Sequence, residues 1–264
     1  MNIWQVDFYK SSVKNEEHQI WELSIINPID NFNYTVFCPQ SDVNSNWLIN
    51  QLENAGKQQG FLPDKIQLFR PQALNLIKIA SEKLNIKIEP TRRTLILKQW
   101  LESKGNKIIL DQPPPQPLPE NLWGEKWRFA SMPAGDLIEL FTNKLIPILE
   151  MPQFLLPINV GIASTTIIPG IIIYGGKSSM RLARWIQENE IYYIDYMQAE
   201  TGGLVLESGL VDRWIIATFS DTEVQESAKI YEKRKEVSKG LHFLLVQPDE
   251  SGMTFSGFWL LQKS

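Results

Sequence analysis

The sequence predicts an α/β protein in two parts, and three features predict it. Short alternating strands open the chain, apolar residues at helical spacing follow them, and a dense proline run then interrupts the pattern. Residues 1–110 read as an N-terminal α/β domain built on a mixed sheet. Residues 111–127 read as a proline-rich linker, and residues 128–264 as an α+β C-terminal domain.

IWQVDFY (3–9), IWELSII (20–26) and YTVFC (34–38) have strand length and composition, and the intervening VKNEEHQ and NPIDNFN suit hairpin turns. SDVNSNWLINQLENAG places Trp47, Leu48 and Leu52 at helical spacing, with Asn44 or Ser45 as N-cap and Gly56 as the stop. KIQLFR (65–70) is a short strand. PQALNLIKIASEKL (71–84) is a helix with Pro71 at its start, and IKIEP (86–90) is a further strand. PTRRTLILKQWLESKG is a helix opened by Pro90 and Thr91 and ended by Gly105. The order β-β-β-α-β-α-β-α is that of a ribonuclease-H-like fold, with three antiparallel strands and then helix-linked parallel ones.

DQPPPQPLPENLWGEKW (111–127) carries Pro113, Pro114, Pro115, Pro117 and Pro119. Proline lacks the amide donor, so an extended connector is expected, with Trp123 and Trp127 able to anchor it. Beyond it, GDLIELFTNKLIPILE is a helix, IPGIIIYGG (168–176) a buried strand and KSSMRLARWIQENE (177–190) a helix. IYYIDYMQ, GLVLES and DRWIIATF are strands, and DTEVQESAKIYEKRKEVSKG (221–240) is a charged helix. LHFLLVQPD and FSGFWLLQ close the chain as a hairpin. In the last of these strands Trp259 and Leu261 share one face while Phe258 and Leu260 share the other. Two apolar faces point to a strand buried on both sides, and a tryptophan offered to a partner is the alternative.

The longest apolar runs, IIIY (171–174) and LHFLLV (241–246), are too short to cross a bilayer, so no integral membrane segment is expected. The opening MNIWQVDFYK alternates like a strand, and no targeting segment is expected there. One cysteine, Cys38, excludes an internal disulfide and suits a reducing cytosol. With only His18 and His242 beside it, a zinc site is not expected. The net charge of −4 is unevenly spread. Residues 57–107 carry 11 basic against 4 acidic side chains, whereas 1–56 carry 2 against 7 and 108–264 carry 13 against 19. A basic block inside an acidic protein is a polyanion surface or a set of solvated helix faces.

Nuclease chemistry on this element order needs carboxylates converging on two divalent metals. Asp7 could supply one, but the strand KIQLFR ends in Arg70 and no acid follows before Glu82. YGGKSS (174–179) sets two glycines and Lys177 between a strand and a helix, where phosphate is often held, although a tight turn explains it equally and the Walker spacing is absent. No serine-hydrolase elbow or dinucleotide fingerprint occurs, and His242 in LHFLLV reads as a core or strand-surface residue. Binding is what remains. Lys65, Arg70, Lys78, Lys83, Lys87, Arg92, Arg93, Lys98, Lys104 and Lys107 supply cations for phosphates, and Trp123, Trp127, Phe258 and Trp259 are the aromatics placed for exposure.

WQVDFYKS, FCP with VNSNWL, IQLFRPQ, PTRRTLILKQWL, LPENLWGEKW, YGGKSSMRLARWI and the terminal FWLLQ together resemble the Tab/Atab family of RNA-binding proteins from oxygenic phototrophs. The resemblance runs from Trp4 to Gln262. It implies binding to single-stranded A/U-rich leader RNA and promotion of photosystem reaction-centre synthesis, without catalysis, cofactor or metal. It also implies translation machinery or photosystem assembly proteins as partners, and a cytoplasmic location that extends to the periphery of thylakoid membranes. The expected RNA-binding residues are Arg70, Arg92, Arg93, Lys98, Lys177, Arg181 and the family's terminal signature, Trp259, Leu260 and Leu261. A metal-dependent nuclease on the same scaffold and a protein-only assembly module are the alternatives.

Overall fold

The computed structural model describes residues 1–11, 19–30, 32–106, 108, 112–142 and 144–263; His18 and Lys107 lie outside them. The chain divides into two units, Met1–Asp111 and Gln112–Ser264.

In the first unit β1 (Ile3–Lys10), β2 (Ile20–Ile26) and β3 (Asn33–Pro39) pair antiparallel. β4 (Lys65–Leu68) runs parallel to β1 and β5 (Lys87–Pro90) parallel to β4, giving the sheet order β3-β2-β1-β4-β5. Helices α1 (Ser45–Gln59), α2 (Pro71–Lys83) and α3 (Leu95–Ser103) supply the connections. Strand alternation sorts the side chains. Trp4, Val6, Phe8, Leu23 and Ile25 form one core with Leu48, Leu52, Ala55, Ala73 and Ile77 of α1 and α2. On the opposite face Ile26, Phe69, Leu97 and Leu101 make a smaller cluster beneath α3.

Two helix boundaries in the first unit differ from the sequence reading. Asn44 is the N-cap of α1, its side chain accepting from Trp47 N at 2.9 Å, but the helix passes through Gly56 and stops at Gly60, where φ is 92°. Gly56 serves packing instead: a Cβ there would lie 2.8 Å from Leu62 Cδ2. Helix α3 begins at Leu95 rather than Thr91. Its amide at Leu97 is capped from a distance, by Gln5 Oε1 at 3.0 Å.

The second unit starts within the proline run expected as a linker. β6 (Gln116–Pro117) pairs with a later strand and Leu118 and Leu122 are buried, so this segment is packed onto the unit rather than hanging free. There follow β7 (Lys126–Pro133), α4 (Ala134–Thr142), β8 (Ile148–Glu150), α5 (Pro157–Val160), β9 (Ile167–Tyr174) and α6 (Ser179–Glu188). Then come β10 (Ile191–Met197), β11 (Gly202–Ser208), β12 (Asp212–Phe219), α7 (Thr222–Val237), β13 (Leu241–Gln247) and β14 (Gly257–Gln262). They form two sheets, ordered β7-β9-β13-β14-β8 and β10-β11-β12-β6. Strands β7 and β8 are the two edges of the first sheet; the sequence reading lacked β7 and placed Ile148–Glu150, the strand β8, inside the helix GDLIELFTNKLIPILE, which ends at Thr142.

β13 and β14 form the expected hairpin, with Leu244 opposite Trp259. Trp259 and Leu261 enter a core with Ile171, Leu244, Leu182 and Leu206, while Phe258 and Leu260 enter another with Leu137, Phe141 and Phe243. The Phe258 ring stacks on Phe141 with centroids 4.0 Å apart. The Trp259 indole lies over Gly257, where a Cβ would come within 2.3 Å of the ring. Trp259 is 1% exposed, so the terminal strand is buried on both sides.

His242, also fully buried, shares this hairpin. Its Nε2 accepts from Ile194 N at 2.8 Å, which leaves Nδ1–H to donate to Gly240 O at 2.8 Å. Burial, aided by the nearby Lys235 ammonium, lowers its pKa from 6.5 to about 3. Both nitrogens are engaged in the fold, as suits a core residue.

Two outcomes are expected. Trp259→Ala should destabilise the second unit by ~3–5 kcal/mol, seen as a lowered melting temperature; an unchanged melt would contradict the burial account. His242 has a folded pKa below its unfolded one, so its contribution is complete above about 6.5 and is lost as pH falls toward about 3. His242→Gln should therefore flatten the fall in melting temperature of the second unit between those limits. An equally steep fall in the variant would assign the acid sensitivity to other groups.

Candidate nucleic-acid interface

Gln5, Asp7 and Tyr9 alternate along β1 on the face toward α3, and Glu22 and Ser24 of β2 stand beside them in register. A polar row inside a sheet needs internal partners. Gln5 donates to Gln67, and Gln67 to Glu89 at 2.8 Å. Ser24 donates to Glu22 at 3.0 Å. Asp7, with its side chain 0% exposed, receives Arg70 Nε at 2.9 Å from each carboxylate oxygen. Burial pushes the Asp7 carboxyl up to about 6, against the pull of the guanidinium. Arg70 also lies over the rings of Tyr9 and Phe69, 4.9 and 5.2 Å from their centroids. Arg70, expected to contact RNA, is paired with Asp7, and 13% of its side chain is exposed.

The same end of the sheet gathers the other cations. Thr91 N donates to Leu68 O, which sets the loop after β5 beside the turn after β4. Arg93 N donates to Thr91 Oγ1 at 3.1 Å, and Lys98 Nζ to Arg92 O at 2.7 Å. Lys98 and Arg70 both approach the Phe69 ring. Partial burial lowers the Lys98 pKa, with the charge of Arg92 adding to the effect. Arg92 and Arg93 thus sit in a loop ahead of α3, not at a helix start as their sequence setting suggests. Arg93 is exposed and Arg92 and Lys98 are half-buried. The carboxyl ends of parallel strands are where open α/β sheets bind ligands.

One feature of this unit escaped the sequence reading. Lys104 Nζ stands 3.5 Å from the centroid of the half-buried Trp100 ring and donates to Thr35 on β3. The i, i+4 spacing of Trp100 and Lys104 was the available signal. The ammonium covers a face of the ring as a cation–π contact within the unit.

In the second unit Lys177 and Arg181 are exposed at the start of α6. The YGGKSS turn is already engaged. The amides of Gly175 and Gly176 donate to Gln247 O and Pro248 O, and that of Ser178 to Gly175 O, so they are not open to a phosphate, and the Glu125 carboxylate stands beside Gly176. Trp259, Leu260 and Leu261 are buried and offer RNA no surface, which favours their structural role over base stacking. Trp123 is 40% exposed and Trp127 half-buried.

Among the described residues no group of three or more His, Cys, Asp or Glu side chains could hold a metal ion. No described helix is long and apolar enough to cross a membrane.

Family models give this arrangement its context. The N-terminal model of RNA-binding protein Tab2/Atab2 matches residues 3–104, and the C-terminal domain model matches residues 105–262. Protein TAB2 homolog, chloroplastic, of Arabidopsis thaliana is 31% identical, over 98% of this chain and 74% of its own length. The protein of the same description from Zea mays is 28% identical, over 98% of this chain and 70% of its own. Among solved structures, the magnesium-bound HTLV-2 integrase catalytic core domain in its dimeric form aligns with a TM-score of 0.27 and 18% identity, over 39% of this chain and 70% of that one. A score that low carries no argument. By the two domain models together, the chain belongs to the Tab2/Atab2 family of RNA-binding proteins.

Proposed function

We propose that this protein is a non-catalytic factor that binds single-stranded A/U-rich leader RNA and promotes synthesis of photosystem reaction-centre subunits. The observation that carries the reading is the cluster of Arg92, Arg93 and Lys98 at the carboxyl ends of β4 and β5, in a chain of an RNA-binding family. Cations so placed neutralise phosphates and supply affinity that does not depend on sequence. Leader choice, photosystem messages, and translation or assembly proteins as partners rest on the resemblance to the Tab/Atab proteins. So does the proposed place of action, in the cytoplasm or at the periphery of thylakoid membranes.

A ribonuclease-H-like scaffold belongs to the same reading, supported by the sheet order β3-β2-β1-β4-β5 with its antiparallel and parallel halves. Hydrolysis on such a scaffold needs carboxylates open to divalent metal. Both Asp7 oxygens are instead engaged by Arg70, which supports binding without cleavage.

The double variant Arg92→Glu, Arg93→Glu tests the surface. Filter binding to single-stranded RNA should weaken, and the slope of log affinity against log salt should flatten by about 0.7 for each phosphate that is no longer neutralised. Circular dichroism should stay native. Unchanged affinity in the folded variant would overturn the placement.

A further inference from the structure

In the second unit, the stretch Leu118–Trp127 borders a cavity of about 170 Å³ against β9, α6 and β12. Trp123, Trp127, Leu118, Ile173 and Thr218 line it together with Lys126. Its walls are held in place. Trp123 Nε1 donates to Leu118 O at 3.0 Å, which fixes an indole that is nevertheless substantially exposed. Trp127 packs edge-on against Phe129, with centroids 5.3 Å apart, and leans on Phe219 at 5.4 Å. At Gly124 a Cβ would lie 2.5 Å from Ile173 Cγ2, so a larger residue there would push against this wall.

Size and lining together select an occupant. An apolar cavity of about 150 Å³ accepts a benzene molecule, so this one accommodates a single six-membered ring with small substituents and is tight for a fused pair. Two indoles and aliphatic walls suit the face of a base and repel a sugar or a phosphate. Lys126 supplies the cation for the backbone. Its present partner is Glu250, and both side chains are more than half exposed. An exposed pair of that kind is weak, and a phosphate replaces it at little cost.

We propose that this cavity receives one unpaired pyrimidine base of a bound single-stranded RNA, with Lys126 on the adjoining phosphate. The inference rests on the RNA-binding reading above and adds to it a site on the second unit that discriminates single-ring from double-ring bases.

The test uses the full chain with a uridine 12-mer and an adenosine 12-mer, and with a uridine oligomer carrying 4-thiouridine for photocrosslinking. Uridine oligomer should bind more tightly, and crosslinks should map to Trp123 or Trp127. Thr218→Leu, which narrows the cavity from an exposed position, should reduce uridine-oligomer affinity about tenfold. It should leave adenosine-oligomer affinity and melting temperature unchanged. Trp123→Ala should reduce it comparably, and provides the reading if Thr218→Leu does not fold. Uridine-oligomer binding with crosslinks only outside residues 118–127 and 216–218, or with both variants at full affinity, would overturn the pocket while leaving RNA binding in place. Failure of both oligomers to bind would overturn the RNA-binding reading together with the pocket.

Discussion

A guanidinium closed onto a buried carboxylate is the interaction around which the first unit is arranged. Asp7 lies in the central strand of the sheet, shut off from solvent, and a buried charge there is tolerable only with a partner. Arg70 is that partner, and it comes from the turn after the neighbouring parallel strand. Removing one member of such a pair typically costs ~3–5 kcal/mol, because the other is left uncompensated. The pair therefore ties β1 to the β4–α2 turn, and it uses up a cation at the end of the sheet where RNA is proposed to bind. The surface charge at this end of the sheet must then come from the next loop, which holds Arg92 and Arg93.

The second unit depends on its last strand in a comparable way. β14 sits between β13 and β8 and feeds one residue after another into opposite cores. A loss of RNA binding on changing Trp259, Leu260 or Leu261 would follow from loss of this strand, because none of the three reaches the surface. The terminal tryptophan and leucines are thus compatible with an RNA-binding protein without touching RNA. The surfaces proposed for contact lie elsewhere, on the loop before α3 and on the Trp123–Trp127 stretch.

Much of this was legible in the sequence, and the reasons differ by element. Alternation in IWQVDFY and GFWLLQ reports faces directly, so the two-sided burial of Phe258 through Leu261 could be read from spacing alone. The Arg92, Arg93 and Lys98 cluster was visible because one short segment carries all three. What was not legible has long-range causes. Gln5 caps α3 across 92 positions in the chain, and nothing near Thr91 signals that the helix starts late. Arg70 reads as a surface cation until Asp7, 63 positions away, is brought against it. The amides of the Gly175–Gly176 turn are taken up in the same way by Gln247 and Pro248, from the end of β13. The short edge strands β6 and β8 have too few residues to show a period, and proline in β6 argues locally against a strand.

On the function proposed above, the Asp7–Arg70 pair makes this sheet a scaffold for holding RNA rather than for cutting it. Incubating the protein with end-labelled single-stranded RNA in magnesium or manganese, and resolving bound and free strands by length, tests it most directly. The account predicts salt-sensitive retention of RNA that stays full-length at every metal concentration. Metal-dependent shortening of the strand that disappears in Asp7→Asn would contradict it.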